Sequence, residues 1–200
     1  MKKLSVIFLI LPLLFGVVST SSAMVLTFDD ISTTETWDWI PEGYGGFSWE
    51  NVGYIFDDYY PESGYDKGTV SGHYTAFNGL PQAAAISDGL FDFHGVYLTS
   101  AWEDGNEITI EGYLGTTLLY STMVIVDTNS PTWFDSNFFG IDRLALSSQL
   151  CQFVMDDFTY DYSETSDCAP TPTPEPGTIF LLGAGLFGLA GMGRKKCMKK

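Results

Sequence analysis

The chain has 200 residues, with nine Lys and Arg against 25 Asp and Glu, and a formal net charge of −16. Lys2, Lys3, Arg194, Lys195, Lys196, Lys199 and Lys200 sit at the two ends, so only Lys67 and Arg143 oppose the acids in between. A surface that negative repels phosphate backbones, which argues against nucleic acid as a partner and favours cations or uncharged ligands such as sugars; the same acids also keep an exported protein soluble. A 16% share of Phe, Trp and Tyr is too rich for a disordered acidic chain.

Residues 1–23 have the layout of a secretory signal peptide: Lys2-Lys3, an apolar run from Leu4 to Val18, and small residues ending in Ser21 and Ala23. The apolar run is short for a membrane span. Cleavage is expected after Ala23, and Met24 in place of Cys gives no sign of lipoprotein processing.

Residues 24–163 lack helical periodicity and alternate apolar with polar residues in short stretches. Examples are Val25–Phe28, Glu107–Tyr113, Thr117–Ser121 and Gln152–Met155. Many short strands separated by Gly, Asp, Asn and Ser predict an all-β domain, a single β-sandwich or jelly roll, with a closed barrel as the lesser alternative. Asp104-Gly105 predicts a tight hairpin between Val96–Trp102 and Glu107–Tyr113, and Leu114-Gly115-Thr116 a second turn. Residues 37–82 read as long aromatic loops.

Within those loops Trp37, Trp39, Tyr44, Trp49, Tyr59, Tyr60 and Tyr65 are the candidate ligand-binding residues. Aromatic rings stack on the apolar face of a sugar, and neighbouring Asp, Asn and Gln pin its hydroxyls; the same rings also glue long loops to a sheet. Trp102 closes an alternating strand and reads as core. Asp29, Asp30, Asp156 and Asp157 stand at opposite ends of the domain, where neighbouring terminal strands would gather four carboxylates. Hard oxygen ligands at that density suit Ca²⁺, and turn-capping by the same side chains is the alternative. His73 and His94 are isolated, and no nucleophile elbow or zinc spacing occurs, so no catalytic residue is assigned. Cys151 and Cys168 form an even pair suited to a disulfide in an oxidising compartment, with free thiols as the alternative.

Residues 164–176 form a Pro/Thr-rich linker that proline keeps extended. From residue 177 to 193 the chain is uncharged and at the lower length limit for crossing a bilayer, and Arg194-Lys195-Lys196 follow at once. Pro174-Glu175-Pro176, the apolar segment and the basic tail, together spanning residues 174–200, resemble the PEP-CTERM sorting signal, though Thr173 stands where the commoner form has Val. The resemblance implies an exosortase as processing partner and a protein exported to the cell envelope or extracellular matrix of a Gram-negative bacterium. It also implies transient anchoring in the inner membrane through the C-terminal helix.

The domain resembles a jelly-roll carbohydrate-binding module of exported PEP-CTERM proteins. The residues that carry the likeness are Phe28-Asp29-Asp30, Gly43–Trp49, Ser63-Gly64-Tyr65, Tyr97–Trp102 and Phe153–Phe158. The likeness implies polysaccharide binding without catalysis and a structural Ca²⁺ near the chain ends. An adhesive envelope protein contacting other proteins is the alternative function, and a glycoside hydrolase ranks third.

Overall fold

The computed structural model describes residues 23–31, 34, 36–79 and 82–162. Residues 1–22 of the expected signal peptide, the linker and the expected C-terminal helix lie outside the described residues. The chain divides into two compact units at Ser163/Glu164, and every described strand belongs to the first unit.

The strands are β1 (Met24–Leu26), β2 (Trp37–Trp39), β3 (Ser48–Glu50), β4 (Val52–Phe56), β5 (Tyr74–Asn78), β6 (Ala84–Ser100), β7 (Asn106–Leu114), β8 (Thr117–Val126), β9 (Thr132–Ser148) and β10 (Phe153–Tyr162). A single helical turn, α1 (Gly64–Lys67), is the one α-helix among the described residues. Strand pairing is antiparallel throughout, in the order β2-β4-β5-β10-β6-β9-β7-β8, with β1 added to β10 and β3 to β6. All-β architecture is thus what the alternation predicted.

β6 and β9, 17 residues each, run through two arms of this ladder. The first part of β6 pairs with β3 and with Arg143–Leu146 of β9, and the later part pairs with β10 and with Thr132–Ile141 of β9. Register shifts separate Ser87 from Phe91, and Gly89 (φ 54°) and Gly140 (φ 64°) supply left-handed backbone at the bend. Bulges of this kind kink a strand and increase its twist. The arms share one core: Ile108, Ile110, Val126, Leu144 and Leu146 of one pack with Phe93, Leu98, Phe153, Met155 and Phe158 of the other. A ladder whose two arms bury side chains in the same core is a sandwich made from one bent sheet.

Asp104-Gly105 turns the chain but makes no hairpin, which corrects the expectation. β6 pairs with β9 and β10, and β7 pairs with β8 and β9. The turn carries the chain from one arm to the other, held by Gly105 N–H on Asp127 (2.8 Å) and Thr128 N–H on Asp104 (2.8 Å). The turn after Leu114 is a true hairpin, with Leu114 opposite Thr117. Residues 37–82, expected as loops, contain β2 to β5. β5 is buried at every position and β4 at all but its last, so polar alternation is missing from strands covered on both faces.

Phe47 sits between the arms, fully buried, with its ring 4.7–6.1 Å from those of Trp49, Phe91, Phe158, Tyr160 and Tyr162. The turn that carries it is tied to β10 by the Tyr160 and Tyr162 hydroxyls, which both donate to the Gly45 carbonyl (2.8 and 2.9 Å). Phe47→Ala removes the centre of that cluster and should cost about 3–5 kcal/mol. Urea unfolding of the two proteins measures it, and a loss near zero would show that the cluster does not hold the arms together.

Candidate functional site

Side chains alternate across the β4-β5-β10-β6 arm. Val52, Tyr54, Tyr74, Ala76, Phe153, Met155, Val96 and Leu98 join the main core, while Ile55, Phe77 and Val154 point the other way into a second, smaller apolar cluster with Tyr65 and Ala101. Val154 lies directly opposite Phe77 in the ladder. The outer face of the arm would be wet if nothing lay on it, and the segment from Asp57 to Gly68 supplies the cover.

That segment is short and locally fixed. A 3₁₀ turn spans Asp57–Tyr59, and Ser63 caps α1 by accepting the Tyr65 N–H at 3.2 Å, while Asp66 accepts the Glu62 N–H at 2.9 Å. Ser63 thereby satisfies one first-turn donor, and Asp66 ties down the residue before the cap. Gly64 N–H donates to the Ala101 carbonyl (3.0 Å), and a Cβ at residue 64 would stand 1.7 Å from the Ser100 carbonyl oxygen. Only glycine permits that approach, and it sets Tyr60 and Tyr65 against Trp102, with centroids 5.2 and 5.3 Å away.

The result is a solvent-open cavity of about 240 Å³ lined by Trp37, Ile55, Tyr59, Tyr60, Tyr65, Phe77, Gly79, Trp102 and Gln152. Trp37, Tyr59, Tyr60 and Trp102 are between 41 and 47% exposed and line one cavity together, a clustered exposed patch rather than scattered single rings. Tyr65 and Phe77 form the buried floor. Burial keeps the Tyr65 hydroxyl protonated well above its usual range. Gln152 is oriented from three sides: it accepts from Trp102 Nε1 (3.2 Å) and donates to the Asn78 and Gly79 carbonyls (3.1 Å each). Beyond Trp102 lies a second hollow, of about 270 Å³, lined by Pro61, Glu62, Ser63, Ala101, Trp102 and Thr128. Trp102 therefore stands as a ridge between two hollows.

Of the expected aromatic ligand-binding residues, the structure brings Trp37, Tyr59, Tyr60 and Tyr65 together here. Trp39, two residues from Trp37 on β2 and 48% exposed, lies over Gly79, where a Cβ would be 2.2 Å from its ring. Tyr44 and Trp49 are placed elsewhere, half-buried against the main core beside Phe28, with Tyr44 donating to Asp30 (2.8 Å) and Trp49 Nε1 to the Tyr44 carbonyl (2.8 Å). Trp102, expected in the core, is on the surface. It stands just past the end of β6, where the alternation that buried its neighbours has ended.

The terminal strands are neighbours, with Leu26 opposite Phe158, and both acidic pairs lie near the Val70–Tyr74 loop. Asp29, Asp156 and Asp157 are engaged there as acceptors, while Asp30 takes the Tyr44 hydroxyl. Asp29 Oδ1 takes the N–H groups of His73 (2.7 Å) and Tyr74 (3.1 Å), and Asp157 Oδ1 takes the Ser71 hydroxyl (2.7 Å). Fully buried Asp156 takes the N–H groups of Val70 (2.7 Å) and Ser71 (2.9 Å) on Oδ2 and that of Asp157 (2.7 Å) on Oδ1. Among the described residues no three acidic, His or Cys side chains are grouped to hold a metal. Cys151 is half-buried with its Sγ 3.3 Å from Ser100 Oγ, and its expected partner Cys168 lies outside the described residues.

Residues 172–195 match the PEP-CTERM protein-sorting motif, so the chain is an all-β protein carrying an export and envelope-sorting signal. No curated protein matched the chain. Several solved structures are similar over part of it, two of which follow. One is the carbohydrate-binding module TmCBM61, solved in complex with β-1,4-galactotriose, at 13% identity and a TM-score of 0.35 over 62% of this chain and 95% of that one. The other is the CBM22-1–GH10 portion of a Clostridium thermocellum endo-1,4-β-D-xylanase, complexed with xylohexaose, at 11% identity and a TM-score of 0.33 over 47% of this chain and 23% of that one.

Burial pushes the Asp156 carboxyl up to about 7, against the pull of its three N–H donors. Between pH 4 and 7 the folded state then keeps a proton that the unfolded chain has released, so this group's contribution to stability falls as pH rises through that window and levels off above it. Melting temperatures across the window should show the decline, and Asp156→Asn should flatten it. Asp156→Ala strands the Val70 and Ser71 donors and should cost about 1–3 kcal/mol, with faster hydrogen exchange at those two amides. Equal pH profiles for the wild type and Asp156→Asn would show that the carboxyl does not titrate in this range.

Proposed function

We propose that the protein is an exported, non-catalytic surface or matrix protein that binds a neutral polysaccharide in the trough formed by the two hollows on either side of Trp102. The observation that carries this is the group of four part-exposed rings, Trp37, Tyr59, Tyr60 and Trp102, held open around Gln152. Rings of this kind stack on the C–H faces of pyranoses, and an oriented amide supplies directional polar contact. No cationic side chain lines either hollow among the described residues, so nothing there recruits a carboxylated or sulfated chain. A trough longer than one ring suits an oligosaccharide segment.

Among the described residues lining the two hollows, Glu62 alone carries a carboxyl group. Glycosidic hydrolysis needs two carboxyl groups flanking the bond, roughly 5–10 Å apart, which supports binding over cleavage. The PEP-CTERM motif supports export and processing by an exosortase. We further propose that Cys151 and Cys168 are joined in the exported protein, which non-reducing peptide mapping would test.

Binding to neutral oligosaccharides of increasing length should strengthen from one sugar to three or four, as the chain crosses Trp102. Trp102→Ala should weaken binding at least about tenfold, the loss of one stacked ring of about 1.5 kcal/mol or more. Calorimetry or affinity electrophoresis on soluble glycans reads both effects. No binding to any neutral glycan, or undiminished binding by the alanine variant, would remove the trough as the site. Intact-mass measurement of the protein from a host with an exosortase should find both termini shortened, the C-terminal end near Pro174–Pro176; a chain still ending at Lys200 would contradict the processing.

A further inference from the structure

β8 ends the strand order and presents one edge with no paired strand among the described residues. Exposed edges are normally blunted by lysine, proline or inward charge, because an open row of N–H and C=O groups pairs with any extended chain. From Leu114 to Val126 there is no charge and no proline. A register shift between Gly112 and Tyr113 places Leu119 as the extra residue of a bulge, which leaves Tyr120–Val126 in unbroken register with Asn106–Gly112. Along that stretch Ser121, Met123 and Ile125 face outward, with Met123 53% and Ile125 57% exposed.

We propose that a second copy of this chain covers β8 by antiparallel edge-to-edge pairing, making one continuous sheet across a two-fold axis. Charge selects this occupant and this geometry. The domain is strongly acidic, so two copies can meet only where both are uncharged, and each brings the same uncharged strand. The neighbouring acids are Asp127, just past the end of β8 and four residues from the two-fold, and Glu107 and Glu111, on β7 opposite Ile125 and Ser121. In an edge-paired dimer the two β7 strands stand three strand spacings apart, about 14 Å, beyond the roughly 8 Å screening length of physiological salt. Packing the outer faces against each other would instead bring those glutamates into opposition. A two-fold through Met123 sets that residue against its own copy and Ser121 against Ile125, so the exposed apolar side chains form cross-strand pairs.

The exported protein should be a dimer by sedimentation equilibrium near about 100 µM and dissociate on dilution, as a modest interface would. Met123→Glu places two carboxylates against each other and should weaken association at least about tenfold, with an unchanged melting curve in dilute solution because the site is exposed. Met123→Lys should do the same, and an equimolar mixture of the two variants should recover the dimer. A monomeric wild type at that concentration, or a Met123→Glu protein that dimerises like the wild type, would overturn the proposal. A mixture that fails to recover would overturn the pairing of Met123 with itself.

Discussion

The ladder between β6 and β9 is the constraint on which the rest of the domain depends. It is the pairing that belongs to both arms, and every other strand reaches the core by hydrogen bonding to one of these two strands or to a strand already joined to them. Without the interruption at Asp88-Gly89 and Gly140, two 17-residue strands would continue as one open ribbon exposing a long apolar face. The bend turns that face onto itself. Left-handed backbone is needed at Gly89 and Gly140, and in both places a Cβ would meet nothing, so conformation and not crowding explains these glycines.

Closing the sandwich leaves the outer face of the β4-β5-β10-β6 arm apolar, and this is the origin of the site. Phe77, Ile55 and Val154 must be covered, and the short segment after β4 covers them incompletely. Tyr65 and Ala101 finish the floor, while Trp37, Tyr59, Tyr60 and Trp102 are left around the rim. A sheet face patched by one helical turn has room for a cavity where a longer helix would fill it. The buried Asp156 extends the same cover towards β1, holding Val70 and Ser71 down by their N–H groups. An apolar side chain there would leave those amides without an acceptor, so a costly buried carboxyl is the less unfavourable choice.

Half-buried strands are legible in the sequence and fully buried ones are not. β7 and β8 alternate because one face meets water, and Glu107-Ile108-Thr109-Ile110 announces it. β4 and β5 are covered on both faces, so their polar alternation vanishes and the sequence there reads as aromatic loops. Asp104-Gly105 signals a turn correctly and a hairpin wrongly, because a local signal does not say which strand the chain rejoins. Among the aromatics of residues 37–82, composition identifies the set but does not separate Trp37, Tyr59 and Tyr60 on the rim from Tyr44 and Trp49 against the core. That division depends on which side of the sheet each segment crosses, and the Gly64 contact with Ser100 decides it for one of them. Trp102 looks like core only if the alternation is extended two residues past the end of β6. The register of β1 on β10 brings Asp29, Asp156 and Asp157 to one loop, while Asp30 bonds Tyr44. Their chemistry turns on the N–H groups of that loop, which no pattern of side chains records.

Acidity then gives these surfaces a common logic. A domain dominated by carboxylates repels anionic polymers and its own copies over most of its surface, and attraction is left to places where charge is missing. The aromatic trough is such a place, and the edge of β8 is another; neither presents a cation, and each offers apolar area with polar groups beside it, Gln152 in the one and the open backbone edge in the other. If the two proposed contacts form there, repulsion elsewhere would sharpen both, because a neutral sugar chain would lose nothing by approaching whereas an anionic one would, and a second copy would dock only in the orientation that keeps the carboxylates apart. Specificity of this kind comes from the penalty on wrong approaches as much as from contacts in the right one. It also accounts for an exposed uncharged strand and exposed tryptophans in a secreted chain, where apolar surface invites aggregation: the surrounding charge keeps every encounter except the matched ones from lasting.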